Sequence, residues 1–598
     1  MEKMHISPQD DTNQEILPAG ASPDTDDMTD EITEEAPARR FSLAEMMTGA
    51  GDFLLQWGWL ALLTCSIFLI GYYVLFPARG YFHSDTTDTL MWGMASAESN
   101  SLFNKDFDYA CLLPFSTSLI MWPLVEIFGV TMLSHSIGML IFFLCFTGGL
   151  IWLLRKMGWS WAWTGLGVST ELMLLSGSEK LREIFWGHTI YYSLGVLFVF
   201  VGLGLLFSFL DQNRTRTEAE PPQKRPMYKL TATLLLIFIW FLLACTNQII
   251  AIAIFALPVM AAWFCDHWFD GSHEITCAKN RRALLVFLLM GIGTVAGYLL
   301  TNLLADGIFA GYETSFSTYS PMSDWLDNAM KFPLHWVELL GVHVQGGAPL
   351  MSADSIRNLI MLIAAAVILI LPTAALCCYR KIEDQKLRIL ILTYWFMVLL
   401  IMLGYICGLL SNAGWRLSPI MAMAVLVSVA FLRWSVQHVQ MQRVVALMMI
   451  PVMTSGLFSA VTIARMAPDN YKNNILYMLS DFLKESDLHY GYATFWQANG
   501  ITVVSDSAVE CRSVTITPTS LTPYNYQSCR SWYTKDQKQE EYFLLMTDME
   551  KQDMEYARPD LAASKLREVE AYGYYIWVFD ENIFPPEPEM ITAPEQME

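Results

Sequence analysis

Hydrophobic residues in this chain form long uninterrupted runs, and polar residues gather between them. The run from 53 to 76, FLLQWGWLALLTCSIFLIGYYVLF, has 24 residues and no charge. A helix of about 20 apolar residues crosses a bilayer core of about 30 Å, and lipid offers the backbone no other hydrogen-bond partner. Each long run therefore predicts a transmembrane helix. Comparable runs lie at 283–304, 355–378, 389–410 and 444–464.

Basic residues separate these runs and predict the topology. Short loops rich in lysine and arginine favour the cytoplasmic side of a membrane. The alternation predicts about eleven crossings, and up to thirteen, with the N-terminus in the cytoplasm and the C-terminal part outside. The basic clusters are Arg39–Arg40, Arg155–Lys156, Arg214 to Lys229, Lys279–Arg282, Arg380–Arg388 and Arg433/Arg443.

Two stretches need a choice of helix boundaries. The stretch 230–268 is long enough for two short helices that turn at Thr246-Asn247-Gln248. The stretch 112–154 is long enough for two crossings, but that would place Arg155–Lys156 outside. We therefore expect a short re-entrant or juxtamembrane helix within 112–130, followed by one crossing at 132–154.

After residue 465 the pattern changes to short aromatic and β-branched runs, separated by polar turns. Such runs are typical of strands, and they predict a small α/β or α+β domain. The runs are GYATFW, ITVV, SVTITPT, EYFLLMT and YGYYIWVFD. The expected organisation is a disordered acidic cytoplasmic tail at 1–45, a transmembrane domain at 46–465, a soluble extracytoplasmic α/β domain at 466–585 and a flexible tail at 586–598.

Composition supports a membrane protein. Hydrophobic residues make up 54% of the chain and charged residues 16%, whereas soluble domains carry about 25% charged residues. The net charge of −21 lies almost wholly in the two ends, with eleven acids and one lysine in 1–38 and 22 acids and ten bases in 466–598. This distribution gives no indication of nucleic-acid binding. The plasma membrane is the expected location, and the lipid bilayer the expected surroundings.

Cysteine spacing and short motifs exclude several kinds of site. Nine of the eleven cysteines lie in or beside hydrophobic runs, and no Cys/His spacing predicts a zinc site. No cofactor is indicated, although a divalent cation remains an alternative. No Walker loop, dinucleotide fingerprint, GxSxG or HExxH motif occurs. Cys511 and Cys529 form either a disulfide or two free thiols, and the sequence leaves both alternatives open.

The polar segment after the first hydrophobic run, at 82–115, is the richest in chemistry. On a helix that starts near Asp85, the side chains of Asp85, Asp88 and Trp92 share one face. Two carboxylates beside an aromatic ring suit a general base next to a bound sugar. The alternative is an interfacial loop with solvated acids, in which Asp85 caps the helix.

Two further segments carry candidate binding residues. The segment 176–192 contains Glu179, Lys180, Arg182, Glu183 and His188, and its two bases run against the expected outside location. They either bind a substrate or form intrahelical ion pairs, such as Lys180 with Glu183.

Arg416 follows Trp415 at the predicted outer end of a late helix. Its guanidinium either grips a phosphate or anchors the helix at the lipid head groups.

In their order along the chain, these pieces resemble the GT-C superfamily of membrane glycosyltransferases. The segment LLPFSTSLIMWPLVEIFGVTMLSHSIGMLIFFLCFTGGLIWLLRKMGWS (112–160) is similar to the "PPLYY…FG" run of protein mannosyltransferases and aminoarabinose transferases. WRLSPIMAMAVL (415–426) resembles their late "RYLLPLLPAL" helix start, with Arg416 and Pro419 at the matching positions. The adjacent Asp-Glu pair of that family is here Asp85-x-x-Asp88. The style of the sequence is similar to that of Gram-positive membrane proteins.

The resemblance implies a GT-C-like fold and an inverting sugar transfer. A polyprenyl-phosphate-linked sugar would be bound through Arg416, with Lys180 or Arg182, and Asp88 or Asp85 would deprotonate an acceptor hydroxyl on a glycan or protein. One alternative is a transporter or flippase for a polyprenyl-linked glycan, which the lack of charges at mid-helix disfavours. The other is a non-catalytic membrane protein in envelope assembly.

Overall fold

A computed structural model of the chain describes residues 43–218, 227–268, 278–308, 318–343, 349–408, 413–437, 439–534 and 539–584. Contacts divide the chain into two units, 1–53 and 54–598. The second unit contains the helical bundle from Leu54 onward and the C-terminal sheet. The predicted acidic tail at 1–45 lies outside the described residues except for its last three, and the tail at 586–598 lies wholly outside them.

The described part of the chain is mainly helical. Its helices in chain order are α1 Leu43–Leu75, α2 Asp88–Ser99, α3 Ser118–Phe128, α4 Met132–Lys156, α5 Trp161–Leu174, α6 Glu179–Arg182, α7 Tyr192–Glu218, α8 Met227–Cys245, α9 Gln248–Ala251, α10 Leu257–Trp268, α11 Ala278–Leu304, α12 Trp325–Leu339, α13 Ala353–Cys377, α14 Gln385–Cys407, α15 Ser418–Ser435, α16 Val439–Ala464, α17 Ile475–Glu485, α18 Phe495–Val504, α19 Ser531–Thr534, α20 Asp548–Ala557 and α21 Pro559–Ser564.

Ten helical segments in the described residues are long and apolar enough to cross a membrane, so the chain is a multi-pass membrane protein. They are Gln56–Leu75, Met132–Lys156, Tyr192–Asn213, Tyr228–Cys245, Gln248–Trp268, Arg281–Leu304, Ala353–Cys377, Gln385–Cys407, Gly414–Ser435 and Gln442–Ala464. Among the described residues these are one fewer than the eleven crossings expected from the sequence. The orientation of the termini stays a prediction.

Both boundary choices agree with the structure. Within 112–130 the chain forms the 11-residue α3, which contains Pro123 and Glu126, and the long α4 follows. The stretch 230–268 turns at Thr246-Asn247 between α8 and α9. The second half contains a π-helical turn at Ile252–Ala256 between α9 and α10.

Close helix packing holds the bundle together, with α15 at its centre. Only one of the 18 residues of α15 is not buried. Helices α8 and α11 approach so closely that a Cβ at Gly297 would collide with the carbonyl oxygen of Leu242. Glycine at that position therefore sets the distance between the two backbones.

A buried polar network ties α10 to the start of α14. The side chain of Asp266 is fully buried, and Arg388 Nε lies 2.8 Å from its carboxylate. Tyr379 and Gln385 donate further hydrogen bonds of 3.1 and 2.8 Å to the same carboxylate. Because each oxygen has a partner, this buried charge is well satisfied.

The C-terminal region contains a six-stranded mixed sheet, in agreement with the predicted α/β domain. Its order is β4-β3-β2-β6-β8-β7, and β2 runs parallel to both β3 and β6. The strands are β1 Phe107–Asp108, β2 Tyr490–Thr494, β3 Glu510–Thr517, β4 Ser520–Pro523, β5 Ser528–Cys529, β6 Tyr542–Met546, β7 Arg567–Ala571 and β8 Tyr574–Phe579. Cys511 and Cys529 are both buried free thiols in the structure.

Candidate active site

The first polar loop places Asp88 at the start of α2. A 3-10 turn at Ser84–Thr87, closed by a capping box between His83 and Thr86, precedes the helix. The helix expected to start near Asp85 therefore starts at Asp88, because the capping box begins a tighter turn. The free backbone N–H groups of a first helical turn favour a negative charge.

His188 is the hydrogen-bond partner of Asp88. Its Nε2 lies 3.3 Å from one carboxylate oxygen, whereas the other oxygen is buried without a partner. The side chain of Asp88 is 5% exposed. Burial raises the pKa of Asp88, and His188 opposes the shift without cancelling it. Burial alone would lower the pKa of His188, but the contact with Asp88 outweighs it and the pKa is raised.

Asp85 lies one turn before Asp88 and is half-buried. Its negative charge contributes to the raised pKa of both Asp88 and His188, so the three groups are close. Among the described residues, no hydrogen-bond donor holds the Asp85 carboxylate. Of the two acids, Asp85 is therefore the one whose carboxylate is available to a bound molecule.

The segment 176–192 folds as the short α6 and a π-helical turn at Glu183–Gly187. Lys180 Nζ lies 2.6 Å from the carboxylate of Glu183, as the intrahelical ion pair predicts, and His83 Nε2 lies 3.6 Å from it. Burial raises the pKa of Glu183, but the contacts with His83 and Lys180 outweigh it and bring the pKa to about 2. Single π-helical turns occur frequently at functional sites, and this one leads directly to His188.

The other two residues of this segment differ in exposure. Glu179 is exposed and lies in the first turn of α6. Arg182 is buried and donates to the Ser176 carbonyl at 2.9 Å. Its guanidinium carbon lies 5.6 Å from the ring centroid of Tyr73 in α1 and 6.0 Å from that of Tyr81, shortly after α1. The Arg182 guanidinium thus fixes the segment to α1.

Arg416 joins the same end of the bundle. It lies in a 3-10 turn, Gly414–Leu417, that begins α15. Its guanidinium lies near the phenol of Tyr192, four residues after His188. The ring of Trp415, 43% exposed, lies 5.1 Å from Lys180 Nζ. The three predicted segments therefore lie at the same end of the bundle, linked by the Asp88–His188 contact and by the approach of Lys180 to Trp415.

Trp92 is predicted on the same face as the carboxylates, but its ring is buried. Its indole N–H donates to the side-chain oxygen of Gln527 in the C-terminal domain. Trp92 thus contacts that domain and is 3% exposed.

The structure adds several groups that the sequence reasoning missed. His83 and His135 lie beside the site, and a cavity of about 20 Å³, enough for about one water, separates His135 from Glu183 and Arg79. Glu171 in α5 is fully buried, and neither carboxylate oxygen has a partner. A carboxyl group within an otherwise apolar helix is itself a detectable sequence signal. Within the described ranges, no three His, Cys, Asp or Glu side chains are grouped to hold a metal ion.

Comparisons with known proteins find similarity in structure only. No family model matches the chain, and no curated protein does. The chain is similar to ArnT from Cupriavidus metallidurans, solved with undecaprenyl phosphate, with a TM-score of 0.49 and 10% identity over 89% of this chain and 100% of that one.

It is also similar to the oligosaccharyltransferase of Archaeoglobus fulgidus. The apo form gives a TM-score of 0.40 and 12% identity over 76% of this chain and 65% of that one, and the complex with zinc and sulfate gives 0.42 and 10% over 87% and 73%. Both neighbours are GT-C enzymes, the class that the sequence motifs resemble. At these scores the likeness concerns the general course of the chain, and no substrate or mechanism follows from it.

Proposed function

We propose that this protein is a membrane glycosyltransferase that moves a sugar from a polyprenyl-phosphate carrier to a hydroxyl group of an extracytoplasmic glycan or protein. One observation carries the proposal. The first polar loop, which carries the acidic groups, and the two distant segments that carry Lys180 and Arg416 lie at one end of a bundle of apolar helices. Transfer of a sugar from a lipid-linked phosphate requires cations for the phosphate, a carboxylate for the acceptor hydroxyl and access to the lipid. The N-terminus is then cytoplasmic and the C-terminal domain extracytoplasmic.

In this proposal Asp85 is the general base. A base must reach the proton that it removes, and Asp85 is half-buried without a hydrogen-bond donor among the described residues, whereas Asp88 is buried against His188. The acceptor oxygen forms a bond to the anomeric carbon, the bond from that carbon to the phosphate oxygen breaks, and Asp85 takes the hydroxyl proton. Attack from the side opposite the phosphate inverts the anomeric configuration.

Arg416 is the proposed phosphate ligand. A guanidinium offers paired donors that match two phosphate oxygens, and Arg416 is half-buried at the start of α15. Lys180, which pairs with Glu183, lies near the neighbouring Trp415 and is the proposed second donor to the phosphate. Fixed positive charge stabilises the negative charge that the departing polyprenyl phosphate gains in the transition state. Arg182 is assigned to holding the segment, since its guanidinium is already engaged.

Substitution of the carboxylates tests this proposal. We expect Asp85→Asn to slow transfer of labelled sugar from a polyprenyl-phosphate donor in proteoliposomes by about 10²–10⁴-fold, the usual contribution of a general base. Asp324→Asn, at an exposed acid outside the site, is the matched control and should transfer at the wild-type rate. An Asp85→Asn/Asp88→Asn double variant with normal transfer would rule the proposal out. Movement of the intact donor across the bilayer without transfer would support the transporter alternative instead.

A further inference from the structure

The C-terminal domain is joined to the first polar loop by a continuous interface. Strand β5 of the domain pairs with β1 of the loop, in the register Phe107 with Cys529 and Asp108 with Ser528. Arg530 Nη2 lies 2.6 Å from the buried carboxylate of Asp108. Helix α18 packs against the 3-10 turn that carries Asp85. The domain thus contacts the loop on both sides of α2.

Gln527 lies at the centre of this interface and is held from three directions. Its backbone N–H donates to the Asp108 carbonyl at 2.8 Å, and its carbonyl accepts from Asn499 at 3.2 Å. Its side-chain oxygen accepts the indole N–H of Trp92, one helical turn after Asp88. Gln527 has no exposed surface, and its φ of +53° lies in the left-handed region that costs a non-glycine residue energy.

A strained backbone and a fully buried polar side chain each cost free energy, and the contacts made by the residue have to offset that cost. Here the contact of the side chain is with α2, the helix that starts with Asp88. Trp92 lies about one turn from Asp88 on the same helix face. The hydrogen bond therefore fixes the rotation of α2 about its axis, and with it the direction in which Asp88 faces His188.

We infer that Gln527 is a positioning residue for the carboxylates, so that the C-terminal domain completes the active site by holding α2 through Trp92. The inference rests on the proposed function for its effect on turnover. Its effect on the geometry of the Asp88–His188 pair does not depend on what reaction the protein catalyses.

The test compares Gln527→Met, which keeps the length of the side chain and removes the acceptor, with Gln497→Met in the same domain. Gln497 also hydrogen bonds an aromatic residue, Tyr574 at 3.1 Å, but lies within the sheet domain. We expect Gln527→Met to lower kcat about 10- to 100-fold with little change in KM for the donor, because small misplacements of catalytic groups have such effects. Gln497→Met should leave kcat and KM unchanged.

A second readout is independent of catalysis. The pH dependence of carbethoxylation of His188, followed by mass spectrometry, reports the pKa of this imidazole in the full-length protein. The titratable groups that face His188 are Asp88, Asp85, Glu183 and His135. In Gln527→Met we expect the pKa to fall, because the contact with Asp88 that raises it loosens.

The double variant Trp92→Phe/Gln527→Met completes the test. If Gln527 acts through Trp92, the double variant should lose no more than the more damaged single variant. Multiplication of the two single losses would overturn the inference, as would an unchanged titration of His188 in Gln527→Met. If the wild-type protein transfers no sugar, the proposed function fails, whereas the titration of His188 still decides the positioning role.

Discussion

Replacement of His188 by leucine probes the charge state of the buried Asp88. His188 Nε2 is 3.3 Å from one oxygen of Asp88, and the other oxygen is buried without a partner. His188→Leu removes this donor and leaves a carboxyl group without a hydrogen bond from any described side chain. Loss of one partner from a buried pair costs about 3–5 kcal/mol while the other stays ionised.

At low pH, protonation of Asp88 costs less free energy than keeping a buried carboxylate without a partner. Burial raises the pKa of Asp88 and His188 opposes the shift, so loss of the imidazole raises this pKa further. The folded variant then keeps a proton that the unfolded chain releases above its ordinary pKa of about 3.9. Its stability falls as the pH rises, by about 1.4 kcal/mol per pH unit. Relative to the same variant without the Asp88 carboxyl group, the deficit should therefore grow with pH toward a ceiling of about 3–5 kcal/mol.

Equilibrium unfolding in mixed micelles between pH 5 and 6.5 measures this slope. Stability that the raised pKa of His188 gives the wild-type protein is fully present below about pH 6.5, the unfolded pKa, and is lost above it. In this window the protonation of His188 therefore adds no slope. The control Asp88→Asn/His188→Leu carries no ionisable group in the pair, so the deficit of His188→Leu relative to this control isolates Asp88. A pH-independent deficit in His188→Leu would refute the reasoning.

Three further changes test other parts of the structure. Arg416→Gln should raise KM for a polyprenyl-phosphate donor about tenfold or more by loss of charge-assisted hydrogen bonds, measured in the transfer assay; an unchanged KM would contradict the phosphate role. Asp266→Asn leaves Arg388 without its buried partner and should cost about 3–5 kcal/mol in unfolding free energy. Gly297→Val should destabilise the bundle by about 1–3 kcal/mol, because Leu242 O occupies the space of the added side chain; wild-type stability would contradict the close approach of α8 and α11.

The course of the chain through the membrane could be predicted because its signal is local. Each crossing is an apolar run of about 20 residues, and the turn at Thr246-Asn247 interrupts such a run. The Lys180–Glu183 pair was also predictable, since residues three apart on a helix are neighbours. The start of α2 was not, because His83 and Thr86 form a capping box that gives no standard Ser/Thr/Asp signal at its first position.

The pairing of Asp88 with His188 could not be predicted from a single sequence. Asp88 and His188 are 100 residues apart, and their contact depends on how α4 and α7 place the π-helical turn. Trp92 illustrates the same limit more strongly. Its position on the helix face of Asp88 follows from helical periodicity, but its hydrogen-bond partner is 435 residues away, so an aromatic ring expected beside a sugar is a contact with the C-terminal domain.

This contact changes how a truncation near residue 466 must be interpreted. Every charged residue assigned to the site precedes residue 466, so by residue position alone a chain that ends there should remain active. In the structure that truncation removes Gln527, and also Asp506, whose carboxylate accepts the backbone N–H of Met132 at the start of α4 at 3.2 Å. Loss of activity would therefore follow from loss of support for α2 and α4, even with every charged residue of the site in place. Only substitutions within the full chain, such as Gln527→Met, separate a supporting domain from a catalytic one.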